Sequence, residues 1–185
     1  PLAKALYNGG IDVAEVTFRT AVAKDAIKEI AEKMPEVHVG AGTIINVEQA
    51  RQAIEAGAKF IVSPGYDADV VATCQEKDVP VFPGVVSPTE IMKAINQGIK
   101  VVKFFPAGTF GGLKGIKSLA GPFPDIKFMP TGGVNIDNLK EFLSFDKIHA
   151  VGGSWICDKK LVNEGKWDEI TDLCKEARQV FESVR

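Results

Sequence analysis

The chain has 185 residues, 45% hydrophobic and 25% charged, with a formal net charge of −2 at pH 7. That balance suits one folded domain with a sizeable core, and it excludes a nucleic-acid binder or anionic-membrane binder built on positive charge. No apolar run is long enough to span a bilayer and no signal-peptide pattern is visible, so a cytoplasmic location is expected.

The chain opens with a helix-like piece, residues 2–7, that stops at Asn8-Gly9-Gly10. A first strand-like run, residues 13–18, follows and alternates with period two. Ala14, Val16 and Phe18 share one face, while Glu15, Thr17 and Arg19 share the other. The segment Asp25-Ala26-Ile27-Lys28-Glu29 mixes charges in the manner of a solvated helix face. A second run, residues 37–41, leads into Gly40-Ala41-Gly42-Thr43, where the glycines permit close approach and Thr43 offers a hydroxyl. Residues 47–56 then read as an amphipathic helix, with Asn46 at the N-cap and Gly57 as its stop. Further short β-rich runs lie at 60–62, 81–82, 101–105, 127–129 and 150–151. The helical stretch at 88–95 is capped by Ser87 and stopped by Gly98. Cys74, Cys157 and Cys174 are odd in number and not closely spaced, as expected of reduced thiols in the cytoplasm. His38 and His149 are the only histidines, which gives little support to a zinc site or a histidine-based triad, and no metal or cofactor is expected.

A strand followed by a helix about every 20–25 residues marks successive βα units on a parallel sheet. Seven such units predict an α/β fold, a nearly complete (β/α)₈ TIM barrel, as a single domain over residues 1–185. An open doubly wound sheet is the competitor, but no GxGxxG opens the first helix. The opening helix has no strand before it. The expectation is therefore a barrel lacking its first strand at the N-terminus, cut from a longer natural protein, with two strand edges left unpaired.

In a barrel the outer strand face packs on helices, so the set Glu15, Thr17, Arg19 should point inward and sit near the C-terminal strand ends, where barrel enzymes build their sites. A wet edge strand is the alternative reading. The same phase in Ile99-Lys100-Val101-Val102-Lys103-Phe104-Phe105-Pro106 sends Val102 and Phe104 outward and Lys103 into the same interior. An amine between apolar walls and near a guanidinium loses its charged form more readily and becomes a nucleophile, and a neighbouring carboxylate can shuttle protons. A structural salt bridge is the rival explanation. Pro130-Thr131-Gly132-Gly133-Val134 and Val151-Gly152-Gly153-Ser154-Trp155 end the last two runs. Glycine pairs after the last two strands of a barrel form phosphate sites, with exposed N–H groups and a helix N-terminus, although a single pair is usually only a turn.

With these residues assembled, the chain resembles the 2-keto-3-deoxy-6-phosphogluconate (KDPG) aldolase and 4-hydroxy-2-oxoglutarate (KHG) aldolase family. The stretches "EVTFRT", "VGAGTI", "IVSPGY", "KFFPA", "AGPFPDIKFMPTGGV" and "VGGSW" carry the resemblance, in the family's order and over nearly the whole chain. It implies a class I Schiff-base aldolase on a (β/α)₈ barrel, without metal or other cofactor, acting on a small phosphorylated keto acid and assembled as a homotrimer. Carried over by position, it implies that Lys103 is the Schiff-base lysine and Glu15 the general acid/base. Arg19 would bind the substrate carboxylate, Thr43 and Thr131 would border the pyruvyl group, and Pro64 and Phe105 would wall the pocket. Gly132, Gly133, Gly153 and Ser154 would cradle the phosphate.

Three other functions are compatible with parts of the pattern. They are an aldolase for the galactonate-derived epimer, a phosphosugar epimerase or isomerase with paired carboxylates, and a non-catalytic barrel remnant serving as an assembly subunit.

Overall fold

The computed structural model describes residues 1–184. Helix α1 (Leu2–Asn8) precedes strand β1 (Val13–Thr17), and from there strands and helices alternate. They run α2 (Ala23–Lys33), β2 (His38–Gly42), α3 (Val47–Glu55), β3 (Ile61–Val62), α4 (Ala68–Glu76), β4 (Val81–Phe82), β5 (Gly84–Val85), α5 (Pro88–Asn96), β6 (Val101–Phe104), α6 (Gly112–Ala120), β7 (Lys127–Pro130) and α7 (Ile136–Leu143). A 3₁₀ turn, Trp155–Cys157, then leads to α8 (Lys159–Asn163) and α9 (Trp167–Glu182).

The ladder is parallel throughout, β1 to β4 in one sheet and β5 to β7 in a second. The break falls at Pro83, which has no N–H to offer a ladder. Its carbonyl still accepts from Lys103 N at 2.9 Å, so the fourth run serves both sheets, and β3–β4 pairing gives way to β5–β6 pairing without a crossover. The run at 150–151, expected as a strand, is irregular. Parallel bridges join Phe128 to Ile148 and Thr131 to Gly152, on either side of it. The step from Ile148 to Gly152 is one residue longer than that from Phe128 to Thr131, so one residue bulges out and regular pairing is lost between the bridges. Among the described residues, nothing pairs with β1 on the side away from β2.

Helix starts follow the cap signals. Asn46 accepts from Gln49 N at 2.9 Å, Asp67 accepts from Val70 N at 2.8 Å, and Ser87 forms a capping box with Glu90. The apolar stripes these helices carry meet the outward strand face. Ile27, Ala53 and Val70 pack on Val39, Ala41 and Ile61, with Val16 and Phe18 against the same cluster. Ile91, Ile116 and Leu139 pack on Val102, Phe104 and Phe128. Each fully buried Ile or Phe contributes about 1.5–3 kcal/mol of hydrophobic stabilisation. Helices α1 and α9 close on each other through Ala5, Leu6, Ile170 and Cys174, and the Thr171 hydroxyl donates to Ala5 O at 3.0 Å.

Strand β2 supplies no side chains to the interior from residues 40 and 42, which are both glycine. A Cβ on Gly40 would strike the Phe60 ring. That ring meets Phe82 edge-on at 6.1 Å between centroids, and the two fill the interior beside β2. The outward phase of Val16, Phe18, Val102 and Phe104 sends Glu15 and Lys103 to the other face of the sheet, as the alternation predicts.

Candidate active site

Lys103 sits on β6 between two core residues, Val102 and Phe104, and is itself only 6% exposed. Its Nζ lies 4.0 Å from Glu15 Oε1, the carboxylate reaching across from β1 with a side chain 28% exposed. The Phe105 ring flanks the amine, with its centroid 4.8 Å from Nζ. Burial pushes the Lys103 amine below its ordinary value; the Glu15 carboxylate opposes this and the Arg19 guanidinium reinforces it. Burial likewise pushes the Glu15 carboxyl up, against the pull of Lys103 and Arg19. The two shifts converge, so the free-energy gap for moving a proton between acid and amine is smaller than between the same groups in water.

Arg19 extends beyond the end of β1, and its Nε donates to Thr43 Oγ1 at 3.4 Å. Thr43 follows β2 with φ +58°, a left-handed conformation that a β-branched residue adopts only under strain. Strain of this kind costs about 1–3 kcal/mol and gathers at functional sites. Thr131, at the end of β7, is buried, and its Oγ1 finds no partner among the described residues. An unsatisfied buried hydroxyl costs about 1–3 kcal/mol, which a bound acceptor or donor recovers. Pro64 borders the rim after β3, with its carbonyl against Gly84 and no room for a Cβ there.

The bridge from Thr131 to Gly152 lays the two glycine pairs side by side at the ends of β7 and the following run. Gly132 and Gly133 have φ of +82° and +84°, and a Cβ on Gly133 would come within 3.2 Å of Gly108 Cα. Gly133, Gly153 and Ser154 are exposed. The two helical starts at this cradle differ: the 3₁₀ turn that follows Ser154 has no side-chain cap, whereas α7 is capped from within its own sequence. Asn135 accepts from Asp137 N and Asn138 N at the start of α7, and Asn138 Nδ2 donates to Gly133 O at 2.9 Å.

A lysine driven toward neutrality inside a parallel α/β fold, facing one acid, suits imine chemistry on a carbonyl substrate. The family model for KDPG and KHG aldolase matches residues 1–173. The chain belongs to that family. It is 46% identical over 180 residues to the 2-dehydro-3-deoxy-phosphogluconate aldolase of Treponema pallidum, covering 97% of this chain and 86% of that one. It is 42% identical over 177 residues to the KHG/KDPG aldolase of Escherichia coli K12, covering 96% and 83%. A KDPG aldolase from Legionella pneumophila, solved with pyruvate captured as a covalent carbinolamine, is 41% identical. It superposes with a TM-score of 0.93, over 96% of this chain and 86% of that one. Family likeness and barrel-type neighbours agree with the fold expected from the sequence.

The glycines of β2 were read from the sequence as places of close approach but not as inward-facing positions, and the Phe60–Phe82 pair was not singled out. The signal was there in the period-two phase, which puts residues 40, 42, 60 and 82 on the inward face.

Proposed function

We propose that this protein is a class I Schiff-base aldolase that cleaves 2-keto-3-deoxy-6-phosphogluconate to pyruvate and glyceraldehyde 3-phosphate, and that also splits 4-hydroxy-2-oxoglutarate to pyruvate and glyoxylate. The reading is carried by one observation, the buried Lys103 amine 4.0 Å from Glu15 with its charged form disfavoured. The family membership and the carbinolamine in the Legionella relative support it.

Neutral Lys103 Nζ attacks the C2 ketone. Glu15 relays one amine proton to the carbinolamine oxygen and adds the proton of its own carboxyl, so the oxygen departs as water and leaves an iminium beside the Glu15 carboxylate. The iminium draws the electrons of the C3–C4 bond as Glu15 takes the proton from the C4 hydroxyl. Glyceraldehyde 3-phosphate departs, Glu15 returns that proton to C3 of the enamine, and water hydrolyses the resulting iminium, giving its spare proton back to Glu15 and releasing pyruvate and free Lys103. Arg19 holds the carboxylate throughout, and the Thr43 and Thr131 hydroxyls border the pyruvyl group. Pro64 and Phe105 wall the pocket. Gly132, Gly133, Gly153 and Ser154 receive the phosphate, which favours the phosphorylated substrate over the shorter one.

The proposal extends to a single barrel domain, a cytoplasmic location and a homotrimer, the last resting on the family resemblance alone. No helix among the described residues is long and apolar enough to cross a membrane.

A pyruvate-coupled assay with KDPG, its galactonate-derived epimer and 4-hydroxy-2-oxoglutarate tests the reading. Turnover is expected to be fastest with KDPG, slower with 4-hydroxy-2-oxoglutarate and slowest with the epimer. Pyruvate release from none of them would leave the isomerase or non-catalytic reading in its place.

A further inference from the structure

Strand β2 carries a glycine at position 42 whose backbone does not need one. Its φ is not among the positive values found at Gly132, Gly133 and six other glycines, and it ends a regular strand paired in register with Thr17. Something other than conformation therefore excludes a side chain there. A Cβ built on Gly42 would lie 2.6 Å from Glu15 Cγ and would overlap the carboxylate carbon and Oε1 outright. The acid occupies the volume that any other residue at position 42 would fill. Gly42 is itself buried.

The acid leans over this position because of the register. Glu15 is paired directly with Gly40, so its side chain runs diagonally along the inner face, past Gly42, to reach a point 4.0 Å from Lys103 Nζ. The position directly opposite is closed to it, since the volume above Gly40 is taken by the Phe60 ring. With Phe60 on one side and the exposed edge of β1 on the other, the gap over Gly42 is the path that aims the carboxylate at the amine.

We propose that Gly42 is a positioning residue for the aldol cleavage: by presenting no Cβ, it forms the slot that holds the Glu15 carboxylate within proton-transfer reach of Lys103. The inference rests on the aldolase reading above. It adds a residue that touches neither substrate nor the reacting amine and acts only through Glu15.

The test is Gly42→Ala, placed in the wild-type chain and in a Glu15→Ala chain. Alanine suits an extended strand, and the three atoms nearest its Cβ all belong to the Glu15 side chain. In the wild-type background kcat for KDPG is expected to fall by about 100-fold, the scale of loss from a misplacement of about 1 Å, with KM little changed. In the Glu15→Ala background, where the slot is empty, Gly42→Ala is expected to leave the residual rate unchanged. The pH midpoint for borohydride trapping of pyruvate should move down in Gly42→Ala, because the displaced carboxylate supports the lysine's charge less well. Equal losses in the two backgrounds, or a loss with an unmoved midpoint, would overturn the slot and leave a general packing role. If Gly42→Ala alone fails to fold, the double variant should fold, because its clash is gone; a double variant that also fails overturns the proposal. A wild-type chain that traps no pyruvate would instead sink the aldolase reading itself, a result distinct from a reactive wild type with an equally reactive Gly42→Ala.

Discussion

Lys103 and Glu15 are each held where burial disfavours the charged form. For the lysine, burial lowers the pKa, Glu15 raises it and Arg19 lowers it. Removing one neighbour at a time therefore has a definite sign. Glu15→Gln takes away the carboxylate that favours the ammonium, so the ionisation of Lys103 should move to lower pH even as turnover falls by about 10²–10⁴-fold with the loss of the acid/base. Arg19→Ala takes away a like charge, so the same ionisation should move to higher pH. The pH dependence of borohydride trapping of pyruvate reads both shifts, and movement of either in the opposite direction would show that the field at the amine comes from elsewhere. Both residues were legible from the sequence because one polar residue per two, in an otherwise apolar strand, must face a different environment from its neighbours. Gly42 was not legible, because its contribution is an absence of atoms, and that has meaning only once Glu15 is seen to lie in the vacated volume.

At the scale of the element, the local signals that involve only neighbours in sequence were readable, and those that depend on pairing were not. The Ser87 N-cap is an example of the first kind. Its hydroxyl caps Glu90 N at 3.5 Å, and Glu90 Oε2 accepts from Val86 N, Ser87 N and Ser87 Oγ at 2.8, 2.9 and 2.8 Å. Burial works to raise the Glu90 carboxyl, but these hydrogen bonds hold it below its ordinary value. Because α5 follows β5, this cap fixes how the chain leaves the strand paired with the one that bears Lys103. Ser87→Ala should lower stability by about 1 kcal/mol, read as a lower denaturant midpoint with an unchanged slope, and should leave the Lys103 ionisation in place. An unchanged midpoint would mean that the box contributes nothing beyond its water-exposed equivalents. The second kind includes the bulge between Ile148 and Gly152 and the pairing of Lys103 N with the Pro83 carbonyl that carries the ladder past the proline. Each is set by which carbonyl a distant N–H finds, and a short run such as residues 150–151 carries no local mark of that choice. The start of α7 is a signal of the first kind that was not read: Asn135 accepts from Asp137 N and Asn138 N, and Asn138 accepts from Asn135 N, a box contained within four residues.

Across the whole molecule, the fold class followed from repetition, since βα units in series leave little choice but a parallel sheet covered by helices. The chain spans 86% of the Treponema relative and 83% of the Escherichia coli relative, so the likeness runs over most of their length. What the long-range order adds is convergence. Glu15, Thr43, Lys103, Thr131 and Gly153 come from five separate runs, and only the parallel arrangement puts their C-terminal ends in one mouth. The proposed cleavage turns on a single bond between one nitrogen of this chain and C2 of a 2-keto acid. Treating the protein with pyruvate and borohydride, then mapping the adduct by peptide mass spectrometry, should find it on Lys103 alone, and the Lys103→Met chain should take up none. An adduct on another lysine, or no adduct on a folded wild-type chain, would contradict the account.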